Sequence, residues 1–384
     1  MQTSGGQQPK HGGNLTWAAS LAGCSPVDIV DFSASINPLG PPASALAAIQ
    51  SHLPDLLHYP DPNYITLRQA LAQIHPLPPA WILPGNGSAE LLTWASRELA
   101  NLDTTYVITP AFGDYLRALK AFDARVVGCP IALDSQASNL QTLNPQVLNQ
   151  ASGEAANLLT IEQLQSQAAD QGRCGLLLNN PHNPTGQLYS IESLLPLLEQ
   201  FALVVLDEAF MDFLPIDRQQ SLIDRVVDFP NLVILRSLTK FYSLPGLRLG
   251  YALAHPDRLD RWQQWRDPWS VNVLAIAAAE AVLQDTDFQQ QTWNWLPPAR
   301  QQLYTGLAAL PGLTPFPSAA NYLLVHSDTS TVQLQHRLLK HGQILIRDCT
   351  SFAELGDRYF RVAVRTTTEN EALLQGLREV LGEG

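Results

Sequence analysis

The stretch NLVILRSLTKFYSLPGLRLGYALA (231–254) holds two short apolar runs, NLVILR (231–236) and LGYALA (249–254), on either side of SLTKFYSLPGLR (237–248). Each run is too short for a stable helix. Each also reads apolar at consecutive positions, as strands covered on both faces do. YVIT (106–109), RVVGC (125–129), GLLLNN (175–180) and ALVVLDE (202–208) have the same character. Helical patterns such as SAELLTWASRELA (88–100) and SIESLLPLLEQFA (190–202) lie among them. Alternating β and α elements predict an α/β layered unit built on a mainly parallel sheet.

Further along, the pattern changes. A helical stretch around 298–310 ends in the breaker-rich LPGLTPFPSAAN. It is followed by strand NYLLVH (321–326), helix TVQLQHRLLKHG (331–342), strands QILIRD (343–348) and YFRVAV (359–364), and a last helix from 368. This reads as a smaller α+β unit. The first 45 residues have INPLGPP and no clear sheet of their own, and are expected to pack beside it as an arm. The expected division is 1–45, 46–285 and 286–384.

Composition narrows the classes. The chain has 384 residues with 46% hydrophobic and 15% charged, which fits a compact folded protein. A formal net charge of −12 offers no field for nucleic acid or an anionic membrane. Cys24, Cys129, Cys174 and Cys349 are widely spaced with no CxxC pair, so neither a zinc knuckle nor a redox motif is expected. With no apolar leader and no spanning run of about 18 apolar residues, the expected location is the cytoplasm.

The chemistry gathers where strands are expected to end. GLLLNN runs into NNPHNPTG with Asn183, ALVVLDE closes on Asp207, NLVILR leads through Ser237 to Lys240, and Arg248 follows in GLRLG. Ligands of open α/β sheets bind beyond the carboxyl ends of strands, so these residues are expected to meet on one ligand. A desolvated lysine acts as an amine nucleophile. An aspartate beside a pyridine nitrogen keeps it protonated, so the ring can drain electrons from a bound molecule. Asn183 offers a donor to a ring oxygen, and Ser237 with Arg248 offers donors to a phosphate. LPGNGSAELL (83–92) adds Gly87 and Ser88 at a helix start, an anion-binding arrangement that an ordinary Ser cap also explains. Phe112 in TPAFGDY either stacks on a ring or packs in the core.

In this order, NNPHNPTG, VVLDEAF, SLTKFYSLPGLRLG and RVAVR resemble the fold-type I pyridoxal 5′-phosphate (PLP) enzymes, the aspartate aminotransferase superfamily, over nearly the whole chain. The resemblance implies a large PLP-binding domain with a mainly parallel, seven-stranded type of sheet, plus a smaller α+β domain. It implies that Lys240 carries PLP as a Schiff base and that Asp207 pairs with the ring nitrogen. Asn183 would contact the ring oxygen and Phe112 would stack on the ring. Gly87, Ser88, Ser237 and Arg248 would hold the phosphate. Tyr59, in HYPDPNY, would reach the phosphate of a neighbouring subunit, which makes a homodimer with shared sites the expected assembly. Phe210 departs from the tyrosine that many aminotransferases carry there.

A finer resemblance, to the L-threonine O-3-phosphate decarboxylases of cobalamin biosynthesis, rests on HGGN (11–14), DFSASINPLGPP (31–42), DPWSVNVLA (267–275), ILIRDC (344–349) and RYFRVAVR (358–365). It implies that His11, Asn37, Arg347 and Arg361 grip the carboxylate and phosphate of a small phosphorylated amino acid. Taken without that resemblance, HGGN reads as a terminal arm. The alternative is an aminotransferase acting on histidinol phosphate or a related phosphorylated amine, which would share the cofactor residues.

Overall fold

The structure, a computed structural model, describes residues 12–131, 173–352 and 354–382. Its strands in chain order are β1 (Val30–Asp31), β2 (Ile82–Asn86), β3 (Thr104–Thr109), β4 (Val126–Pro130), β5 (Cys174–Asn179), β6 (Leu203–Asp207), β7 (Leu232–Ser237), β8 (Leu249–Ala254), β9 (Leu313–Pro315), β10 (Tyr322–Ser327), β11 (Ile344–Leu345), β12 (Arg347–Asp348) and β13 (Tyr359–Ala363). Seven of these form a central sheet in the order β2-β8-β7-β6-β5-β3-β4. β4, β3, β5, β6 and β7 run parallel, while β8 is antiparallel to both neighbours.

Every residue of β3, β5, β7 and β8 is buried, which is why those segments are apolar without alternation. On one face Val107, Val205, Val233 and Leu235 pack with Leu91, Leu99 and Trp262 of helices Gly87–Leu99 and Pro256–Trp265. The alternate residues Ile108, Val204, Ile234 and Leu253 face Leu197 and Val282 of helices Ile191–Gln200 and Val273–Leu283. Each such buried Leu, Ile or Val contributes about 1.5–3 kcal/mol of apolar burial.

The reversal of β8 corrects one expectation. Arg248 does not follow a strand; it precedes β8. Ser237 pairs with Gly250 and Asn86 pairs with Leu249, so the amino end of β8 lies at the sheet edge where β2 and β7 end. Arg248 therefore reaches the expected edge by the opposite route. β2 is not among the expected strands, since LPGN (83–86) reads there as part of an anion-binding element ahead of a helix. It lies at the sheet margin, where the missing N–H of Pro84 costs no ladder bond.

A second sheet, β12-β13-β10-β9, is antiparallel throughout. Leu323, Val325, Phe360 and Val362 join the apolar cluster that includes Leu303, Leu338 and Leu377 from helices Thr286–Ala308, Thr331–Gly342 and Thr367–Gly382. β1 pairs in parallel with β11, and Ala18 and Ala19 of helix Leu15–Ala22 pack on Leu339 and Leu345. QILIRD, expected as one strand, divides: β11 pairs with β1 and β12 pairs with β13. At the break, the Ile346 carbonyl accepts a hydrogen bond from Gln335 Nε2 at 2.6 Å. The helix expected from about 298 starts at Thr286 and runs through Pro297 and Pro298, which forgo their own hydrogen bonds without ending it. No described helix is long and apolar enough to cross a membrane.

Candidate active site

Lys240 lies in the short helix Leu238–Phe241, which starts where β7 stops; Ser237 caps it by accepting from the Thr239 amide. Lys240 Nζ donates to Ser237 Oγ at 3.4 Å and stands 5.9 Å from the centre of the Phe210 ring. Burial, and to a lesser degree the nearby Arg248 and Arg361 cations, push its ammonium below the ordinary lysine range, while Asp207 partly opposes this. The result is an amine that gives up its proton more readily than an exposed lysine does.

Asp207 ends β6. Its Oδ2 accepts from the Tyr115 hydroxyl at 2.7 Å and its Oδ1 from the Ala209 amide at 3.0 Å. Burial pushes its carboxyl up; the Tyr115 hydrogen bond and the Lys240 charge pull it back. Phe112 precedes helix Gly113–Lys120, and its ring meets Tyr115 edge-on, with centroids 5.6 Å apart at 88°.

These groups surround one cleft of about 280 Å³, whose lining also includes Ser88, Asn183, Arg347 and Arg361. At one end, helix Gly87–Leu99 starts beside the Arg248 guanidinium. A Cβ at Gly87, where φ is 73°, would lie 2.6 Å from Arg248 Nη2, so glycine is required there for the guanidinium to come this close. Gly250 is equally confined, because a Cβ would lie 2.5 Å from the Ser88 nitrogen. Helix-end N–H groups, a serine and a guanidinium thus gather where an anion would be held.

At the other end, β12 and β13 deliver Arg347 and Arg361 as register partners. Arg361 is half-buried; it donates from Nη1 to Asn183 Oδ1, lies 4.8 Å from the Tyr322 ring centre, and its buried Nε lacks a protein partner. Arg347 Nη2 donates to Ser351 Oγ at 2.6 Å. Ser35 also lines the cleft, its buried hydroxyl without a protein partner.

The sequence-predicted residues therefore divide. Lys240, Asp207, Ser88, Phe112, Asn183, Arg347 and Arg361 line the cleft, with Gly87, Ser237 and Arg248 adjoining at the sheet edge. Asn37 does not line the cleft. Its Nδ2 donates to the Phe241 carbonyl and to Thr292 Oγ1, both at 2.8 Å, and its Oδ1 accepts from the Leu39 amide at 3.1 Å. The side chain is spent inside the fold, and Ser33 and Ser35 of the same segment face the cleft instead. Tyr59 lies away from its own chain's cleft, highly exposed and stacked on Trp269 at 4.4 Å. His11 lies outside the described residues. Tyr115, Ser35 and Ser351 were missed; for Tyr115 a signal was present, since it follows Phe112 by three residues in AFGDY at a helix start.

A half-buried amine and a half-buried carboxylate lining one cleft, with an anion cradle adjoining it and two arginines in its wall, suit a phosphorylated aromatic cofactor and an anionic amino acid. Comparison with known proteins agrees on the fold and the family. The chain is 41% identical, over 97% of its length and 96% of that protein, to threonine-phosphate decarboxylase of Salmonella typhimurium. It is 34% identical, over 93% of its length and 92% of that protein, to histidinol-phosphate aminotransferase of Symbiobacterium thermophilum. The crystal structure of histidinol-phosphate aminotransferase from Sinorhizobium meliloti, in complex with pyridoxal-5′-phosphate, aligns with a TM-score of 0.81 at 25% identity, covering 97% of this chain and 95% of that one. Residues 27–377 match the family described as Aminotransferase class I and II. With nearly the whole chain inside that match, and full-length relatives beside it, the chain belongs to the class I and II aminotransferase family.

Proposed function

We propose that the protein is a PLP-dependent lyase that decarboxylates L-threonine O-3-phosphate to (R)-1-aminopropan-2-ol O-phosphate, a step of cobalamin biosynthesis. The observation that carries this reading is the side-by-side pair Arg347 and Arg361 in the cleft that holds Lys240 and Asp207. Threonine phosphate presents two anionic groups, a carboxylate and a phosphate, and two guanidinium forks lining the cleft match that demand. The identity to the Salmonella decarboxylase supports the same reading.

The site's donors fit the cofactor. Lys240 would tether it, Asp207 would face its ring nitrogen and Phe112 its ring face. The Nδ2 of Asn183, left available because Oδ1 is held by Arg361, would donate to the ring oxygen. Gly87, Ser88, Ser237 and Arg248 would hold its phosphate. PLP, when bound, supplies a flat electron sink for whichever bond at the substrate's α-carbon stands perpendicular to its ring. The chain's own contribution is to choose that bond. By gripping the two anions, Arg347 and Arg361 would orient the substrate so that the bond to the carboxylate is the one activated. Loss of CO₂ would leave the bonding electron pair on the α-carbon side, where the bound cofactor would draw it off until a proton arrives. Lys240 Nζ, carrying the proton given up by the incoming substrate amine, would deliver it to the α-carbon.

Leu53, Leu56, Leu57, Tyr59, Ile65 and Trp269 are large apolar side chains left exposed. Such a concentration supports a second copy of the chain as the partner, with Tyr59 offered to that copy's cofactor phosphate.

A second reading, transamination of histidinol phosphate, draws on the 34% identity to an enzyme of that name. Incubation with threonine phosphate separates the two: release of CO₂ and aminopropanol phosphate is expected. Absence of CO₂, with 2-oxoglutarate-dependent conversion of histidinol phosphate, overturns the first reading in favour of the second.

A further inference from the structure

Tyr115 touches two residues assigned to different jobs. Its hydroxyl donates to Asp207 Oδ2 at 2.7 Å, and its ring meets the Phe112 ring edge-on at 5.6 Å. It is 1% exposed, so both contacts are made in the interior. Asp207 Oδ1 is already held by the Ala209 amide. The tyrosine hydroxyl therefore fixes the remaining oxygen, and with it the plane of the carboxylate. The Tyr115 amide also donates to the Phe112 carbonyl at 2.9 Å, tying the two residues through the backbone as well as through their rings.

We infer that Tyr115 is a positioning residue that sets the Asp207 carboxylate and the Phe112 ring together, aligning the ring-nitrogen partner and the ring-face contact of the cofactor from one side chain. This rests on the PLP reading above. A buried carboxylate with both oxygens accepting hydrogen bonds is stabilised in its charged form. Loss of the hydroxyl leaves Oδ2 short of a donor, so the proton shared between carboxylate and ring nitrogen moves toward the carboxylate. That weakens the electron sink and loosens the cofactor. The other charged or titratable groups that act on Asp207 are Lys240, Asp114 and Tyr322, and they are unchanged by a substitution at 115.

Two variants separate the contacts. Tyr115→Phe removes the hydroxyl and keeps the ring; Tyr115→Leu removes both. Loss of a hydrogen bond to a charged group corresponds to roughly a 10-fold to 100-fold change in an equilibrium. Tyr115→Phe is therefore expected to bind PLP about 10-fold or more weakly. It should also show a changed pH dependence of bound-cofactor absorbance, and lower kcat with KM little altered. Tyr115→Leu should bind PLP more weakly still. The thermal midpoint of each PLP-free variant reports whether folding alone is affected. Wild-type affinity and an unchanged absorbance titration in Tyr115→Phe overturn the proposal, as does a loss that merely follows a lowered thermal midpoint. Failure of the wild-type protein to bind PLP at all would instead overturn the cofactor reading, whichever substrate is used.

Discussion

Arg347 and Arg361 sit directly opposite one another on adjacent antiparallel strands, so two guanidinium groups share one face of the small sheet beside the cleft. Directly opposed like charges on a sheet repel. Burial, chiefly, with a contribution from the Arg347 charge, pushes Arg361 below the usual guanidinium range. An arrangement of like charges that costs free energy would be relieved by a ligand carrying two negative groups.

Arg361→Lys keeps the charge and removes the planar fork, so it should act on substrate more than on cofactor. The expected loss in kcat/KM for threonine phosphate is about 10²–10³-fold, the scale of one or two charge-assisted hydrogen bonds. PLP affinity should stay within a few-fold of wild type. Steady-state kinetics beside a PLP titration decide the matter; an equal loss of both would remove Arg361 from the substrate end of the cleft.

Lys240→Ala should abolish turnover together with the visible absorbance of covalently held cofactor. The pH dependence of capture follows from the depressed ammonium. Because the folded-state value lies below that of an exposed lysine, the unprotonated, reactive amine accumulates at lower pH. The rate at which PLP-free protein captures the aldehyde should rise with pH, with its midpoint below the ordinary lysine value. Arg361→Met removes one of the cations that depress Lys240, so that midpoint should move upward. Stopped-flow absorbance across pH measures both; a midpoint at the ordinary value would contradict the burial of this amine.

The parts of the fold that announce themselves in the sequence are those buried on both sides. β5 to β8 are apolar because helices cover both faces of the sheet, and a continuous apolar run leaves few other assignments. β2 gave no such signal: only Ile82 and Leu83 of its five residues are apolar and unbroken by Pro, Gly or Asn. The direction of β8 was equally hidden, since apolar content is the same whichever way a strand runs. Within the site, Lys240 and Asp207 were legible because strand ends concentrate ligand contacts. Around Asn37 a motif says which segment approaches the cleft and not which of its side chains turns inward. Two positions earlier, Ser35 faces the cleft while Asn37 faces Phe241 and Thr292.

Gly87→Ala tests the anion cradle. A left-handed φ of 73° disfavours any residue with a Cβ by roughly 1–2 kcal/mol, and that Cβ would also displace the Arg248 guanidinium. The variant should fold with a modestly lowered thermal midpoint and bind PLP at least about 10-fold more weakly. Its affinity for pyridoxal, which lacks the phosphate, should fall much less. Parallel titrations with the two aldehydes provide the check, and an equal loss for both would detach Gly87 and Arg248 from phosphate binding.

Asn37→Ala separates a structural role from the substrate role that the sequence suggested. The side chain bridges the Phe241 carbonyl, one residue beyond Lys240, and Thr292 in helix Thr286–Ala308, while its own amide donates to the Lys240 carbonyl. Truncation leaves buried acceptors unsatisfied, at a cost of about 1–3 kcal/mol. The loss should be seen as a lower midpoint in urea unfolding of the PLP-free protein. KM for threonine phosphate should change little, because both Nδ2 hydrogens of Asn37, the donors an anion would need, are already given within the fold. Any fall in kcat should come with slower cofactor capture, since the backbone of Lys240 hangs from the same segment. A variant of wild-type stability with a raised KM would return Asn37 to the substrate.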